Sequence, residues 1–355
     1  YDPKKWAEER KKHFPGSNKF WSLCEALHKS NWSIASRDPI LPIRNFWDCR
    51  KLIQTIRLEN LPATLFSKLS IIDLLKLSGC YKDQRLIKFL DIQLKLYSQE
   101  PASRTAALYG ATVLQMAQAP LGLSHLDGSM QKLSEVLGNC FLRNGGSLLL
   151  RNRVTALSNQ KNSQTWEVDI IDNNGKKSNL ETSDIIFSLP PQALIDLIPS
   201  TSNFHKAYLN KLKKLPKPSG AIVFYGAINR KNFSNNLPGH LQLLSNDFGS
   251  IFISISTEGD GRAPIGQATI IASIFVNVDD WIGLDKKNYD VKKTIIMELM
   301  LNELEKFLDI SLSSWLHKEL ATPKSFLKWT GRPKGIVGGL GQHPSVFGPF
   351  GLASR

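Results

Sequence analysis

Side chains that commonly carry chemistry are thinly spread along this sequence. Seven histidines and four cysteines occur in 355 residues. No two of Cys24, Cys49, Cys80 and Cys140 are spaced as a metal or redox pair, and no His-Glu-x-x-His run offers a zinc site. There is no Gly-x-Ser-x-Gly nucleophile turn and no Walker-type phosphate loop. The nearest approach to a dinucleotide fingerprint is Gly339-Leu340-Gly341, with Pro344 where the third glycine belongs. Other segments are governed by the backbone. Gly128, Ser129 and Met130 open a predicted helix, whose N-terminal amides favour negative charge or an electron-rich edge. The Gly-rich stretch 338–348, beginning with Gly338 and Gly339, permits close backbone approach to a ring. Arg332, shortly before it, and His343 within it are the notable polar side chains of this region. No acid–base pair is conspicuous.

The elements that position these residues follow from the apolar pattern. Helices are expected near 3–13 and 46–59, in a basic stretch interleaved with Trp6, Trp21, Trp32 and Trp47. Such interleaving suits a nucleic acid, a membrane interface or an ordinary amphipathic helix. A single helix is expected over 62–78, started by Pro62 and ended by Gly79. Two more follow, around 86–96 and 102–118. Ser129 caps a helix whose stripe is Met130, Leu133, Val136, Leu137 and Phe141. Strands are expected at 147–150, at 166–171 with an Asn-Gly hairpin turn, and at 184–189 before Pro190-Pro191. Residues 206–218 read as a lysine-rich linker. Four short strands between 219 and 278, a helix over 289–308 and a strand over 316–329 complete the pattern.

Composition bounds the class of molecule. With 42% hydrophobic and 21% charged residues the chain is globular, of two domains or one interleaved one. Its net charge of +14 favours an acidic partner surface, anionic lipid or nucleic acid. The lysines are dispersed and no nucleic-acid fold signature occurs, which argues against nucleic acid. No apolar run approaches the roughly 18 residues that span a bilayer, and no signal peptide opens the chain. The chain starts at Tyr1 and stops at Arg355 without a polar tail, so an internal fragment is expected.

A resemblance sharpens the reading. Asp127-Gly128-Ser129-Met130-Gln131-Lys132-Leu133, with Asn144-Gly145-Gly146-Ser147-Leu148-Leu149-Leu150 and Arg153-Val154, resembles a motif of the FAD-dependent amine oxidase and phytoene desaturase superfamily. Ser129 stands where that motif carries its second glycine. The run Thr330-Gly331-Arg332-Pro333-Lys334-Gly335-Ile336-Val337-Gly338-Gly339-Leu340-Gly341-Gln342, with Phe347 to Arg355, resembles the carotenoid desaturase/isomerase branch. Within it, the chain looks closest to cyanobacterial carotenoid 3',4'-desaturases.

That resemblance implies an α/β plus α+β fold, with a partial FAD-binding domain (Rossmann-like, glutathione-reductase type) interleaved with a substrate domain of antiparallel sheet and helices. It implies a helical substrate- or membrane-facing segment over 1–125 and a return to the FAD domain with an inserted hairpin over 126–200. A substrate domain over 201–330 and the start of a truncated FAD segment over 331–355 would follow. The implied cofactor is FAD, the implied substrate a carotenoid, and the implied reaction desaturation or, alternatively, cis–trans isomerisation. A non-catalytic membrane-surface protein is the reading from another class. Val154 would lie against adenine, Pro190 would line the flavin side, and Gly128, Ser129, Met130, Gly338 and Gly339 would approach the cofactor. A hydrocarbon substrate gains roughly 0.8 kcal/mol per buried CH2 and calls for an apolar tunnel opening on a membrane. Leu65, Phe66, Leu69, Ile72 and Leu75, flanked by Lys68 and Lys76, are the candidates for that mouth. A peripheral place on the cytoplasmic side of a photosynthetic or plasma membrane is expected. The 355 residues alone, lacking a pyrophosphate-binding turn, are expected to be inactive.

Overall fold

The computed structural model describes residues 2–116, 126–159, 164–198, 206–215, 218–232 and 237–347. The chain divides into two compact units. One comprises Tyr1–Ser124 with Leu340–Arg355, the other His125–Gly339.

The first unit is helical: α1 (Pro3–His13), α2 (Asn18–Ala35), α3 (Phe46–Thr55), α4 (Leu61–Thr64), α5 (Ile71–Leu77), α6 (Gln84–Ser98) and α7 (Ala107–Met116). Local signals set these bounds. The Asp2 carboxylate accepts from the Lys4 amide at 2.9 Å ahead of Pro3, and Asp83 accepts from the Leu86 amide at 2.9 Å. Gln99, in the left-handed region at φ 60°, ends α6. The core gathers Phe20, Cys24, Ile71, Leu74, Leu90 and Leu114, with α2 packed on α7. Cys24 is a fully buried core side chain, and burial pushes its thiol well up against a smaller downward pull from Arg10.

The helix expected over 62–78 is two helices. Ser70 restarts the helix: its amide donates to Asp73 Oδ2 at 3.0 Å in a reciprocal capping box. The long helix α2 falls between the helices expected at 3–13 and 46–59. Its buried Phe20, Cys24 and Leu27 recur at helical spacing.

The second unit holds α8 (Ser129–Arg143), β1 (Asn152–Ser158), β2 (Trp166–Asp172), β3 (Lys177–Thr182), α9 (Leu194–Leu197), α10 (Lys206–Lys213), β4 (Gly220–Asn229), β5 (His240–Ser245), β6 (Gly249–Ile255), β7 (Gln267–Val276), α11 (Asp279–Ile282), α12 (Lys286–Leu308), β8 (Trp315–Ala321) and α13 (Pro323–Thr330). One sheet has the order β1-β2-β3, the other β5-β6-β7-β4-β8. In the larger sheet β4 pairs with β7 from Gly220↔Val276 to Asn229↔Gln267. Residues of β7 alternate between buried and half-buried along most of the strand, as a sheet covered on one face requires. Phe224, Ile253, Ile270, Trp281, Met300 and Leu304 join the sheet and α12 in one core.

Several expectations are corrected. Every strand pairing among the described residues is antiparallel. The apolar runs 147–150 and 184–189 form no strands, because no strand among the described residues pairs with them; Ile186 is 96% exposed. The expected linker at 206–218 contains α10, whose Tyr208 and Leu212 are buried one helical turn apart. The strand expected over 316–329 stops at Ala321. Thr322 then caps α13 ahead of Pro323, and its amide donates to Ser325 Oγ at 3.1 Å.

Candidate functional site

One constrained stretch of backbone in the second unit lies where α8 begins. Gly128 has φ 82° and Ser129 has φ 74°, two successive residues in the left-handed region. Glycine takes that region freely, whereas a residue with a Cβ is strained there by roughly 1–2 kcal/mol. Gly128 is therefore the residue preceding the helix, and Ser129, expected as the cap, is its first helical residue. The motif's second glycine has a physical reason at this position, and Ser129 bears the strain of lacking it.

A loop of the larger sheet holds this turn. The Gly128 amide donates to the Asp260 carbonyl at 2.8 Å. The Asp260 carboxylate is buried and accepts from the Thr257 amide at 2.7 Å and the Arg262 amide at 2.9 Å. It also pairs with the Arg262 guanidinium at 2.7 Å, which in turn donates to the Ile255 carbonyl at 3.2 Å. Burial alone would raise the Asp260 carboxyl, but the hydrogen bonds from Arg262 and Thr257 outweigh it and hold the group well below the usual carboxylate range. Sequence reasoning missed this loop. Its signal is Thr257-x-x-Asp260 with Gly259 and Gly261, both at φ 78°.

Beyond that turn, α8 has no buried residue. Met130, Leu133, Leu137 and Phe141 are exposed, as are Leu148, Leu149 and Leu150. Gly146 lies on the Phe141 ring, where a Cβ would come within 2.4 Å of ring carbons, so the chain turns tightly out of the helix.

Val154 lies on β1, opposite Ile170 of β2. The other edge of β1 pairs with no strand among the described residues. Pro190 precedes the short turn leading into α9, and α9 packs against β1. The structure thus brings the elements of Val154 and Pro190 together. Two residues after Pro190, Gln192 has Oε1 and Nε2 both buried without a hydrogen-bond partner among the described residues. Unpaired buried amides are rare enough to mark a place where a polar group is wanted. Gly338 accepts from Arg332 Nη2 at 3.1 Å, Arg332 Nε is buried without a partner, and open space surrounds the position of a Gly339 Cβ. These contacts tie Gly128–Met130 and Gly338–Gly339 to different partners, not to each other. His343 sits in the other unit, with Nδ1 2.8 Å from Ser345 Oγ. Residues 348–355, part of the resemblance, lie outside the described residues.

The candidates for a tunnel mouth do not share a face. Leu65 is 79% exposed, Phe66, Leu69 and Ile72 are half-buried against the first core, and Leu75 is fully buried in it. Breaking the helix before Ser70 dissolves the stripe they were expected to form. An open depression of about 660 Å³, lined by Ile56, Arg57, Leu58, Glu59 and Leu61, lies beside them; it is a shallow surface feature, not a tunnel. No group of three potential metal ligands, and no helix long and apolar enough to cross a membrane, occurs among the described residues.

No protein-family model matches the chain. Over 266 residues, 72% of this chain, it is 26% identical to prolycopene isomerases 1 and 2 of an Oncidium hybrid cultivar. That match spans 44% of those proteins, so the chain covers less than half the length of these relatives. Over 97 residues it is 36% identical to the prolycopene isomerase of Arabidopsis thaliana, and 35% identical to that of Daucus carota. The solved structure of an oxidoreductase from Methanosarcina mazei matches with a TM-score of 0.50 at 17% identity, covering 86% of this chain and 63% of that one. The likeness to that structure is one of fold.

Proposed function

We propose that the chain contributes to a flavin-dependent enzyme acting on a carotenoid. The similarity to prolycopene isomerases over 266 residues is the observation that carries this reading. The fold shared with an oxidoreductase agrees with it.

FAD, when bound, supplies a ring that exchanges hydride or, once reduced, polarises a polyene. The chain's own residues fit such a group in four ways. The unpaired edge of β1 beside Val154 offers backbone donors and acceptors to adenine. The left-handed Gly128–Ser129 turn opens the N-terminus of α8, next to Met130, and its amides favour an electron-rich partner. The unpaired Gln192 amide, two residues after Pro190, can hold a polar edge of the ring. Gly338 and Gly339 leave room for a flat group. These residues bind, orient and exclude water; no acid–base role falls to any of them.

Isomerisation is the reaction favoured by the relatives' names, and it involves no net redox change. Desaturation, which the carotenoid 3',4'-desaturase resemblance favours, removes a hydride and a proton from neighbouring carbons. Incubating the full-length gene product with FAD and a poly-cis carotene separates them by mass and chromatography. A product of unchanged mass and altered geometry is expected; loss of two hydrogens would mean desaturation. A correctly folded product that neither binds flavin nor converts a carotene by either route would overturn the proposal. A lipid-dissolved substrate further requires peripheral attachment to a membrane, proposed here on the cytoplasmic side.

A further inference from the structure

Among the described residues, helix α3 has one inward face and one that none of them covers. Asp48 and Thr55 are buried and Leu52 is half-buried. Two rows point away from them at helical spacing, Phe46–Arg50–Ile53 and Trp47–Lys51–Gln54. Phe46 is 85% exposed, Ile53 64% and Trp47 55%. Past the helix, Leu58, Leu61 and Leu65 are exposed around the open depression of Ile56–Leu61. Water-facing apolar side chains in this number mark an interaction surface.

Charge identifies the partner. Between residues 41 and 58 the exposed charges are Arg44, Arg50, Lys51 and Arg57, all positive, and the exposed Glu59 that lines the depression is paired with Arg37 at 3.3 Å. The one acid of that stretch, Asp48, is buried and holds Arg44 Nε at 3.0 Å. Lys51 Nζ lies 5.4 Å from the centre of the Trp47 ring. A second copy of this face would set cations against cations, which disfavours a two-fold interface. A nucleic acid would use the cations but leave Ile53, Leu58 and Leu65 in water. An anionic bilayer uses both, with aromatic rings at headgroup level, aliphatic tips below them and cations on the phosphates.

We propose that the outward face of α3, with Leu58, docks the protein on an anionic lipid surface. This moves the membrane contact from the 65–75 stripe to 46–58. It rests on the proposed function for its purpose only, because the contact is built from residues unrelated to flavin.

The test is flotation of the 355-residue chain with vesicles of phosphatidylglycerol and phosphatidylcholine, without flavin or carotene, so that either proposal can fail alone. Binding to the anionic vesicles at low salt is expected, with little to phosphatidylcholine alone. Replacing Arg50, Lys51 and Arg57 by Gln is expected to weaken binding about 100-fold, from the usual contribution of each cation near an anionic surface. The Phe46→Ser/Ile53→Ser variant, altered only at exposed positions, is expected to float poorly while keeping its circular dichroism. Absence of flotation at low salt, or flotation unchanged in both variants, overturns the proposal. So does a solution dimer that the Phe46→Ser/Ile53→Ser variant disperses, since that assigns the face to a second copy.

Discussion

Helices α6 and α8 are alike in sequence and opposite in structure. Each has 15 residues. Leu86, Leu90 and Leu94 recur along one, and Met130, Leu133, Leu137 and Phe141 along the other. In α6 the three leucines are fully buried, against α7 among others. In α8 nothing is buried. Periodicity therefore prescribes a face and says nothing of what covers it. Covering is a property of the rest of the fold: α6 is framed by a capping Asp83 and by neighbours that share its core, whereas α8 is fastened through the Gly128 amide.

The largest expected effect lies in the covered helix. Leu90→Ala removes a fully buried side chain from a packed core and should lower the stability of the first unit by about 4 kcal/mol. Urea unfolding followed by circular dichroism measures it. A loss under about 1 kcal/mol would mean that α6 is no better packed than α8, and the contrast would vanish.

Next comes the anchor of α8. Asp260→Asn leaves Arg262 buried beside an amide and should cost about 3 kcal/mol in the second unit. The pH dependence follows in sign. The folded carboxyl is held below its unfolded value, so its contribution is present above the unfolded pKa and is lost as pH falls through that value toward the folded one. Wild type should lose stability between about pH 5 and pH 3 by more than the variant does. Parallel melting curves over that range would remove Asp260 from the account.

The same contrast explains what was legible. The antiparallel strands, α12 and the hairpin at Asn173-Asn174-Gly175 were readable because alternation, helical spacing and turn chemistry agree there. The break before Ser70 and the start of α13 were signalled by Ser70-x-x-Asp73 and by Thr322-Pro323, but the apolar runs around them masked those signals. The runs 147–150 and 184–189 misled for another reason: a strand needs a partner, and composition does not supply one. At the candidate site, Gly128 and Val154 could be singled out from the motif. Gln192 could not, because its significance lies in having no hydrogen-bond partner, a property of three-dimensional surroundings.

A smaller effect of opposite sign tests the start of α8. Ser129 holds φ 74° with a Cβ, so Ser129→Gly should stabilise the second unit by about 1 kcal/mol despite the lower helix propensity of glycine. The first helical turn is where that propensity matters least. Thermal melts of the two proteins under one set of conditions decide it. Destabilisation of the Gly variant would show that Ser129 is not left-handed in solution.

The smallest expected effect is the sharpest test of the contrast. Leu137 is exposed in the middle of α8, and Gln has nearly the helix propensity of Leu. Leu137→Gln therefore changes burial and little else. If α8 is open to water, unfolding free energy should move by less than about 0.5 kcal/mol. If something covers the helix in solution, the same substitution should cost roughly 2 kcal/mol, because a buried amide is then left unpaired. Repeating the denaturation at several protein concentrations identifies the cover. A cost that grows with concentration belongs to a second copy, and a constant one to the chain itself. Either result would make α8 a helix like α6 whose partner the described residues do not contain.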